Sequence, residues 1–192
     1  MKRERTSAEY REGFEVCQRA ARHMRQLLEA LLILAREDSG ENAINREPCM
    51  LDEIARDGVE LLRPLAEERN VKVHLDLEEA PVTGDALQLG QVVINLVKNA
   101  IDYNRDGGEV RVSVRREDDG ALLVVSDNGL GIADADLPQV FERFFRADRS
   151  RSSTDGHTGL GLAICKAIVE AHEGSIEVCG QANEGTLFTV RI

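Results

Sequence analysis

The sequence has no long apolar run, and this absence limits where the chain can reside. No stretch of about 18 consecutive apolar residues occurs, so no segment has the composition of a transmembrane helix. The N-terminal residues, MKRERTSAEYREG, lack the apolar stretch of a signal peptide. We therefore expect this chain to be cytoplasmic and to make no membrane contact, whether or not a longer parent protein is membrane-anchored.

Cysteine is scarce and widely spaced. The four cysteines are Cys17, Cys49, Cys165 and Cys179, and they form no C-x-x-C pair. This spacing argues against a zinc site and against a thiol redox motif. We expect these side chains to be small buried hydrophobic groups.

Positive charge is also in short supply. The formal net charge is −11, and an acidic body is repelled by nucleic acid unless its basic residues are clustered. The exception is the segment 143–151, RFFRADRSR, which gathers four arginines. The sequence therefore predicts no nucleic-acid partner, but this segment would attract a small polyanion.

A heptad pattern marks the N-terminal segment. Apolar residues recur there with a 4-3-4-3 spacing: Tyr10, Phe14, Cys17, Ala21, Met24, Leu28, Leu31 and Ala35. Such a seam needs a partner helix. We expect residues 1–38 to form one long helix that supports a homodimer, although an amphipathic helix lying on its own domain is the alternative. The polar residues 39–50 are predicted to be a linker.

Residues 51–192 are predicted to form a mixed α+β domain. Helical periodicity covers 51–69, 85–103 and about 160–172. Alternating or short apolar runs predict strands at VKVHLDL, EVRVSVRRE, ALLVVSD, SIEVC and GTLFTVRI. Because helices and strands do not alternate strictly, we expect a two-layer sandwich with helices on one sheet face.

The helix that begins at Asp85 carries polar residues on an otherwise apolar sequence. Asn95, Asn99 and Asp102 lie at i, i+4 and i+7 and so share one face. A buried amide without a partner costs about 1–3 kcal/mol, so both asparagines need partners. The partners are either an internal hydrogen-bond network or a bound ligand.

Two glycine-rich segments follow. SDNGLGI contains Asp127, Gly129 and Gly131, and TGLGLAI opens a helix at Gly159. Glycines allow close backbone approach, and a helix N-terminus favours phosphate oxygens. Each segment alone can be a simple turn, and neither is a Walker loop or a dinucleotide-binding fingerprint.

Taken together and in order, NLVKNAIDYN, DNGLGI, FERFFR and GHTGLGLAI resemble the ATP-binding domain of sensor histidine kinases. The resemblance covers residues 85–192 and extends more loosely back to residue 51. It implies a two-layer α/β sandwich of the histidine kinase ATPase type, preceded by the long N-terminal helix. The nucleotide would lie between helices, under a lid at residues 147–158.

The resemblance also implies roles for individual residues. Asn99 would coordinate Mg²⁺, Asn95 would help to order the metal and phosphates, and Tyr103 would lie beside the nucleotide. Asp127 would accept the adenine amino group and so reject guanine. The other positions implied to contact ATP are Gly129, Gly131, Ile132, Arg143, Arg146, Thr158, Gly159, Leu160, Gly161, Leu162 and Thr186.

Two features depart from the family pattern. Asp102 stands where the family usually has a basic residue, and it could pair with Lys98 at i, i+4 or bind water near the metal. No H-E-L-R-x-P box, which carries the family's phosphoacceptor histidine, occurs in the chain. The heptad helix instead resembles the second helix of the family's dimerisation hairpin.

The resemblance implies a protein-histidine kinase module that binds ATP with Mg²⁺. Its phosphoryl group would pass to a histidine that this chain lacks, for relay to a response regulator. One alternative is an ATP hydrolase of the same superfamily, which needs a glutamate where this chain has Asn95. The other is a non-enzymatic dimerising or nucleotide-sensing protein. The sequence leaves the signal, the regulator and any phosphatase activity open.

Overall fold

The structure is a computed structural model that describes residues 45–146 and 159–192. It also describes five single positions, all helical and exposed: Tyr10, Arg11, Phe14, Gln18 and Met24. The rest of the heptad segment, Cys17, the predicted lid 147–158 and its Thr158 lie outside the described residues. Among the described residues, no helix is long and apolar enough to cross a membrane.

Three helices and seven strands make up the described part of residues 45–192. The helices are α1 (Leu51–Glu68), α2 (Ala86–Asp102) and α3 (Gly161–Ala171). The strands are β1 (Glu47–Met50), β2 (Lys72–Leu77), β3 (Pro81–Gly84), β4 (Glu109–Glu117), β5 (Gly120–Asp127), β6 (Ser175–Gln181) and β7 (Gly185–Arg191). A short 3-10 helix spans Leu137–Gln139.

Five strands form the main sheet in the order β2-β4-β5-β7-β6. Strand β2 is parallel to β4, and the other neighbours are antiparallel. Val110, Val112 and Val114 of β4 are fully buried, while alternate residues face outward. Each of the three helices contacts this sheet. The predicted two-layer sandwich of helices on a sheet is therefore confirmed.

Helix α2 is the central element of the helical layer. Asp85 caps it, because one carboxylate oxygen accepts the amides of Leu87 and Gln88 at 3.0 and 3.1 Å. Its buried stripe includes Val93, Leu96 and Val97, as the spacing predicts. Gly58 of α1 faces this stripe, since an added Cβ would lie 2.8 Å from Val93 Cγ1. Close packing of α1, α2 and α3 thus fixes the position of the polar α2 face.

Two short strands were not predicted. Strand β1 falls within residues 39–50, which we interpreted as linker, and it pairs antiparallel with β3. Each strand has only four residues and each contains a proline, so neither has the length or alternation that identifies a strand. The pairing attaches the end of the predicted linker to the domain.

Candidate functional site

The polar face of α2 meets the beginning of α3. Asn95 Nδ2 donates to the Gly161 carbonyl oxygen over 3.4 Å, and Asn95 also hydrogen-bonds the buried Cys165 thiol. Both partners come from α3, and Gly161 lies 66 residues further along the chain than Asn95. An internal network therefore satisfies Asn95, and it joins α2 to the predicted phosphate-side turn.

Asn99 lies one turn later and is half-buried. Within the described residues its side chain makes no hydrogen bond, in contrast to Asn95, so its carbonyl oxygen remains available to a ligand. The same residues include no group of three or more His, Cys, Asp and Glu side chains that could hold a metal ion. Mg²⁺ is often bound by few protein oxygens, with phosphates and water as the remaining ligands. The single Asn99 amide oxygen fits this mode of binding.

Asp127 ends β5 at the same edge of the domain. One carboxylate oxygen accepts the Gly129 amide over 2.8 Å, and the backbone and hydroxyl of Thr186 also donate to this carboxylate. Burial nevertheless raises the pKa of Asp127, because desolvation outweighs these bonds and the nearby charge of Arg105. The site therefore contains a half-buried carboxylate that can still accept a hydrogen bond.

The glycine turn after β5 passes between two other segments. At Gly129, an added Cβ would lie 2.5 Å from the Tyr103 carbonyl oxygen. At Gly131, where φ is +66°, an added Cβ would lie 1.9 Å from the Gln181 carbonyl oxygen. Between them, the Leu130 amide donates to Tyr103 O over 3.0 Å. Only glycine fits at both positions, which sets the turn against the end of α2.

Arg105 was missed by the sequence interpretation, although it supports this turn. One guanidinium nitrogen, Nη2, donates to the Gly129 carbonyl over 2.7 Å and to the Asn183 carbonyl over 2.8 Å. The contacts span 24 and 78 residues of sequence, so no local pattern could reveal them. The arginine connects the glycine turn to the β6–β7 hairpin.

Tyr103 and Ile132 are two further residues that the family resemblance places beside the base. Tyr103 is the C-cap of α2 and its side chain is exposed, whereas Ile132 is half-buried against the hydrophobic core. Tyr103 directly follows α2, and Ile132 directly follows the glycine turn after β5. The structure therefore brings Tyr103, Asp127 and Ile132 to one edge of the domain.

The phosphate-side segment is closed by a pair of residues in left-handed conformations. Phe144 has φ of +64° and Gly159 has φ of +70°, and the Phe144 amide donates to the Gly159 carbonyl over 2.9 Å. A Cβ at position 159 would lie 2.8 Å from the Phe144 carbonyl carbon. Positive φ is unusual for a bulky residue such as phenylalanine. This backbone arrangement is called the Phe144–Gly159 stem below.

The remaining predicted residues lie beside this stem. Arg143 is exposed and Arg146 half-buried. Leu160 is fully buried and anchors the start of α3, where Gly161 and Leu162 are half-buried. The described residues thus place the arginines and the start of α3 on adjacent segments.

Asp102 is neutralised by two cations. Its side chain is only 5% exposed, and its two carboxylate oxygens contact Lys98 Nζ and, at 3.8 Å, Arg69 Nη2. The Lys98 pair is one of the two arrangements that the spacing allows. Arg69 follows α1 and could not be foreseen. Because two cations pair with this carboxylate, its negative charge acts less strongly on the site than its sequence position suggests.

Comparison with known proteins agrees with this geometry. The family described as histidine kinase-, DNA gyrase B- and HSP90-like ATPase matches residues 84–192. The sensor histidine kinase RppB of Synechocystis sp. is 36% identical over 177 residues, which cover 91% of this chain and 39% of that protein. This chain therefore spans about two fifths of the length of that relative.

Solved structures show the same similarity. The mycobacterial sensor histidine kinase MprB matches with a TM-score of 0.67 and 31% identity, covering 77% of this chain and 96% of that one. The Acinetobacter baumannii histidine kinase AdeS matches with a TM-score of 0.78 and 25% identity, covering 99% and 86%.

Proposed function

We propose, from the premise that the chain belongs to the histidine kinase-, DNA gyrase B- and HSP90-like ATPase family, that it is the ATP-binding kinase module of a two-component sensor histidine kinase. It would act in the cytoplasm as a homodimer formed through residues 1–38. Its product would be a phosphohistidine on a helix absent from this chain. A response regulator receiver domain would then accept the phosphoryl group.

The contact between Asn95 and Gly161 carries the proposal. It brings α2, on which the Asn99 side chain makes no hydrogen bond to any described residue, against the segment that begins α3. Asn99 would hold Mg²⁺, which neutralises phosphate charge when bound. The amides at the start of α3 and the arginines Arg143 and Arg146 would bind the phosphates.

The base would bind at the other end of the same edge. The Asp127 carboxylate would accept the adenine amino group, in a pocket shaped by Gly129, Gly131 and Ile132. Thr186, which is buried beside Asp127, would hold that carboxylate in place. Guanine presents an oxygen at the corresponding position and would leave a buried acceptor facing an acceptor.

Phosphoryl transfer depends mainly on positioning and charge neutralisation. An imidazole nitrogen of the external histidine would attack the terminal phosphorus, the bond to the bridging oxygen would break, and ADP would leave. Hydrolysis is less well supported, because the Asn95 amide cannot take a proton from water and is already bonded to Gly161. These residues favour transfer to a histidine over transfer to water.

The test is a transfer reaction between two polypeptides. The chain is mixed with Mg²⁺, γ-labelled ATP and a separate helical hairpin that carries an H-E-L-R-x-P box. Acid-labile, alkali-stable label should appear on the hairpin, and Asn99→Ala should abolish it. Release of phosphate without labelling would favour a hydrolase, while nucleotide binding with neither outcome would favour the non-enzymatic alternative.

A further inference from the structure

Helices α2 and α3 form an antiparallel pair with a defined register. Three contacts join facing positions in order: Asp85 to His172, Val92 to Cys165 and Asn95 to Gly161. Each step forward along α2 is matched by a step back along α3. The predicted nucleotide site lies at the Asn95–Gly161 end, so the Asp85–His172 contact holds the opposite end of the same pair.

The imidazole of His172 is buried and uses both ring nitrogens. Nε2 lies 2.9 Å from the Asp85 amide nitrogen, and Nδ1 lies 2.7 Å from the Ile168 carbonyl oxygen. Because the Asp85 amide can only donate, Nε2 must accept. Because the Ile168 carbonyl can only accept, Nδ1 must carry the proton. Both partners therefore select the same neutral tautomer.

Backbone of β3 holds the ring from another side. A Cβ added at Gly84 would lie 2.8 Å from His172 Cδ2 and 3.0 Å from its Nε2. Because Gly84 has no side chain, the imidazole packs directly on the main chain at this residue. Its position is set by β3, by Asp85 and by its own helix.

The predicted linker reaches the same turn. Arg46 Nη2 donates to the Ala171 carbonyl over 3.0 Å and to Glu173 Oε1 over 2.8 Å. The ion pair is exposed and contributes little by itself, but the carbonyl bond satisfies an acceptor at the end of α3. The turn around His172 is therefore bounded by α2, β3 and the linker.

We propose that His172 is a positioning residue for the nucleotide site, and this inference rests on the proposed function. By accepting the Asp85 amide it fixes the register of α2 against α3, and hence the separation of Asn99 from the start of α3. Helices of 17 and 11 residues are stiff rods in a close-packed layer. A shift at the His172 end therefore moves the start of α3 relative to the asparagines.

Two substitutions separate this role from simple packing. In His172→Gln the side-chain oxygen can occupy the position of Nε2 and accept the Asp85 amide. In His172→Asn the amide nitrogen can occupy the position of Nδ1 and donate to Ile168, but the contact with Asp85 is lost. We expect His172→Asn to weaken Mg-ATP binding by about two- to thirtyfold, with His172→Gln close to the wild type.

The measurement is titration with a fluorescent ATP analogue, alongside hydrogen exchange of the Asp85 amide without nucleotide. That amide should exchange slowly in the wild type and in His172→Gln, and fast in His172→Asn. Equal ATP affinity in both folded variants and the wild type would overturn the proposal, as would equal losses in both. A wild-type chain that binds no ATP contradicts the proposed function instead, and the exchange data still test the helix contact.

A variant outside α3 tests the same proposal if the His172→Asn protein does not fold. Gly84→Ala inserts a methyl group against the ring, and it should weaken ATP binding in the same direction. Thr83→Ala, at the exposed neighbour, is the matched control and should have no effect. A folded Gly84→Ala protein with wild-type affinity would count against the positioning role.

Discussion

The Asp127 carboxylate and the Gly129 amide are joined by a hydrogen bond of 2.8 Å that folds the glycine turn back onto the end of β5. The same carboxylate is the predicted acceptor for adenine. One side chain thus shapes the turn and, on the proposed function, would also bind the base, and these two roles respond differently to substitution.

Asp127→Asn should weaken ATP binding and stabilise the protein without nucleotide. Burial raises the pKa of Asp127, so its stabilising contribution is full below the ordinary value of 3.8 and is lost as pH rises through the folded-state pKa. At neutral pH the asparagine avoids the desolvated charge and can still accept the Gly129 amide. ATP affinity should fall about tenfold to a hundredfold, because a charged hydrogen bond is lost.

Calorimetric binding and thermal unfolding between pH 3 and pH 8 check both parts. The gain in thermal midpoint should shrink as the pH approaches ~3.8. Asp119→Asn, which makes the same chemical change in the exposed β4–β5 turn, is the control and should alter neither quantity. Unchanged ATP affinity in Asp127→Asn would show that the base does not bind there.

Gly131→Ala should destabilise the domain more than Gly107→Ala. Both glycines have φ near +70°, but a Cβ at Gly131 would lie 1.9 Å from Gln181 O, while nothing lies within 4 Å of one at Gly107. The left-handed conformation alone costs about 1–2 kcal/mol, so only Gly131→Ala adds a backbone clash. Urea unfolding measures the difference, and equal losses would mean that the turn is not held against β6–β7.

Asp102→Asn should lower the free energy of unfolding by about 1–2 kcal/mol, because a nearly buried carboxylate loses its charge pairs with Lys98 and Arg69. On the proposed function, loss of the Asp102 negative charge should also raise ATP affinity about two- to fivefold at low salt. Glu60→Gln, which breaks an exposed pair with Arg63, is the control. A drop in ATP affinity would instead indicate that Asp102 supports the metal.

The cysteines should differ in their reactivity with iodoacetamide. Cys179 is exposed, Cys49 half-buried and Cys165 buried, and burial raises the pKa of Cys165 to about 12. Because the thiolate is the nucleophile, among these three described cysteines Cys179 should react first, Cys49 more slowly, and Cys165 only on unfolding. Peptide mass spectrometry at pH 8 gives the order, and rapid native labelling of Cys165 would contradict the packing of α2 on α3.

The sequence predicted the parts of this fold that depend on local pattern. The helix from Asp85 was confirmed with its apolar stripe, since both are set by neighbouring residues. The polar face was predicted as a face, but its partners were not: Gly161 and Arg69 reach it from distant segments. For the same reason Arg105 and His172 had no detectable signal, because their contacts follow from how helices and turns pack together.

The strand pairing that forms part of the site also could not be predicted from local sequence pattern. Thr186 was predicted through the family resemblance, whereas the register that places it opposite Asp127 follows from the β5–β7 pairing. The ligand-binding roles assigned to all of these residues stay predictions, and Thr158 and most of residues 1–38 lie outside the described part of the chain.

The Phe144–Gly159 stem bears on how the gene for this protein can be altered. A hydrogen bond of 2.9 Å joins the two residues, so the chain between them begins and ends at one place on the domain. Doubling the length of such a closed segment costs only about 0.6 kcal/mol in loop entropy. A peptide tag or a small reporter domain encoded between the two codons should therefore leave the sheet and its helices intact.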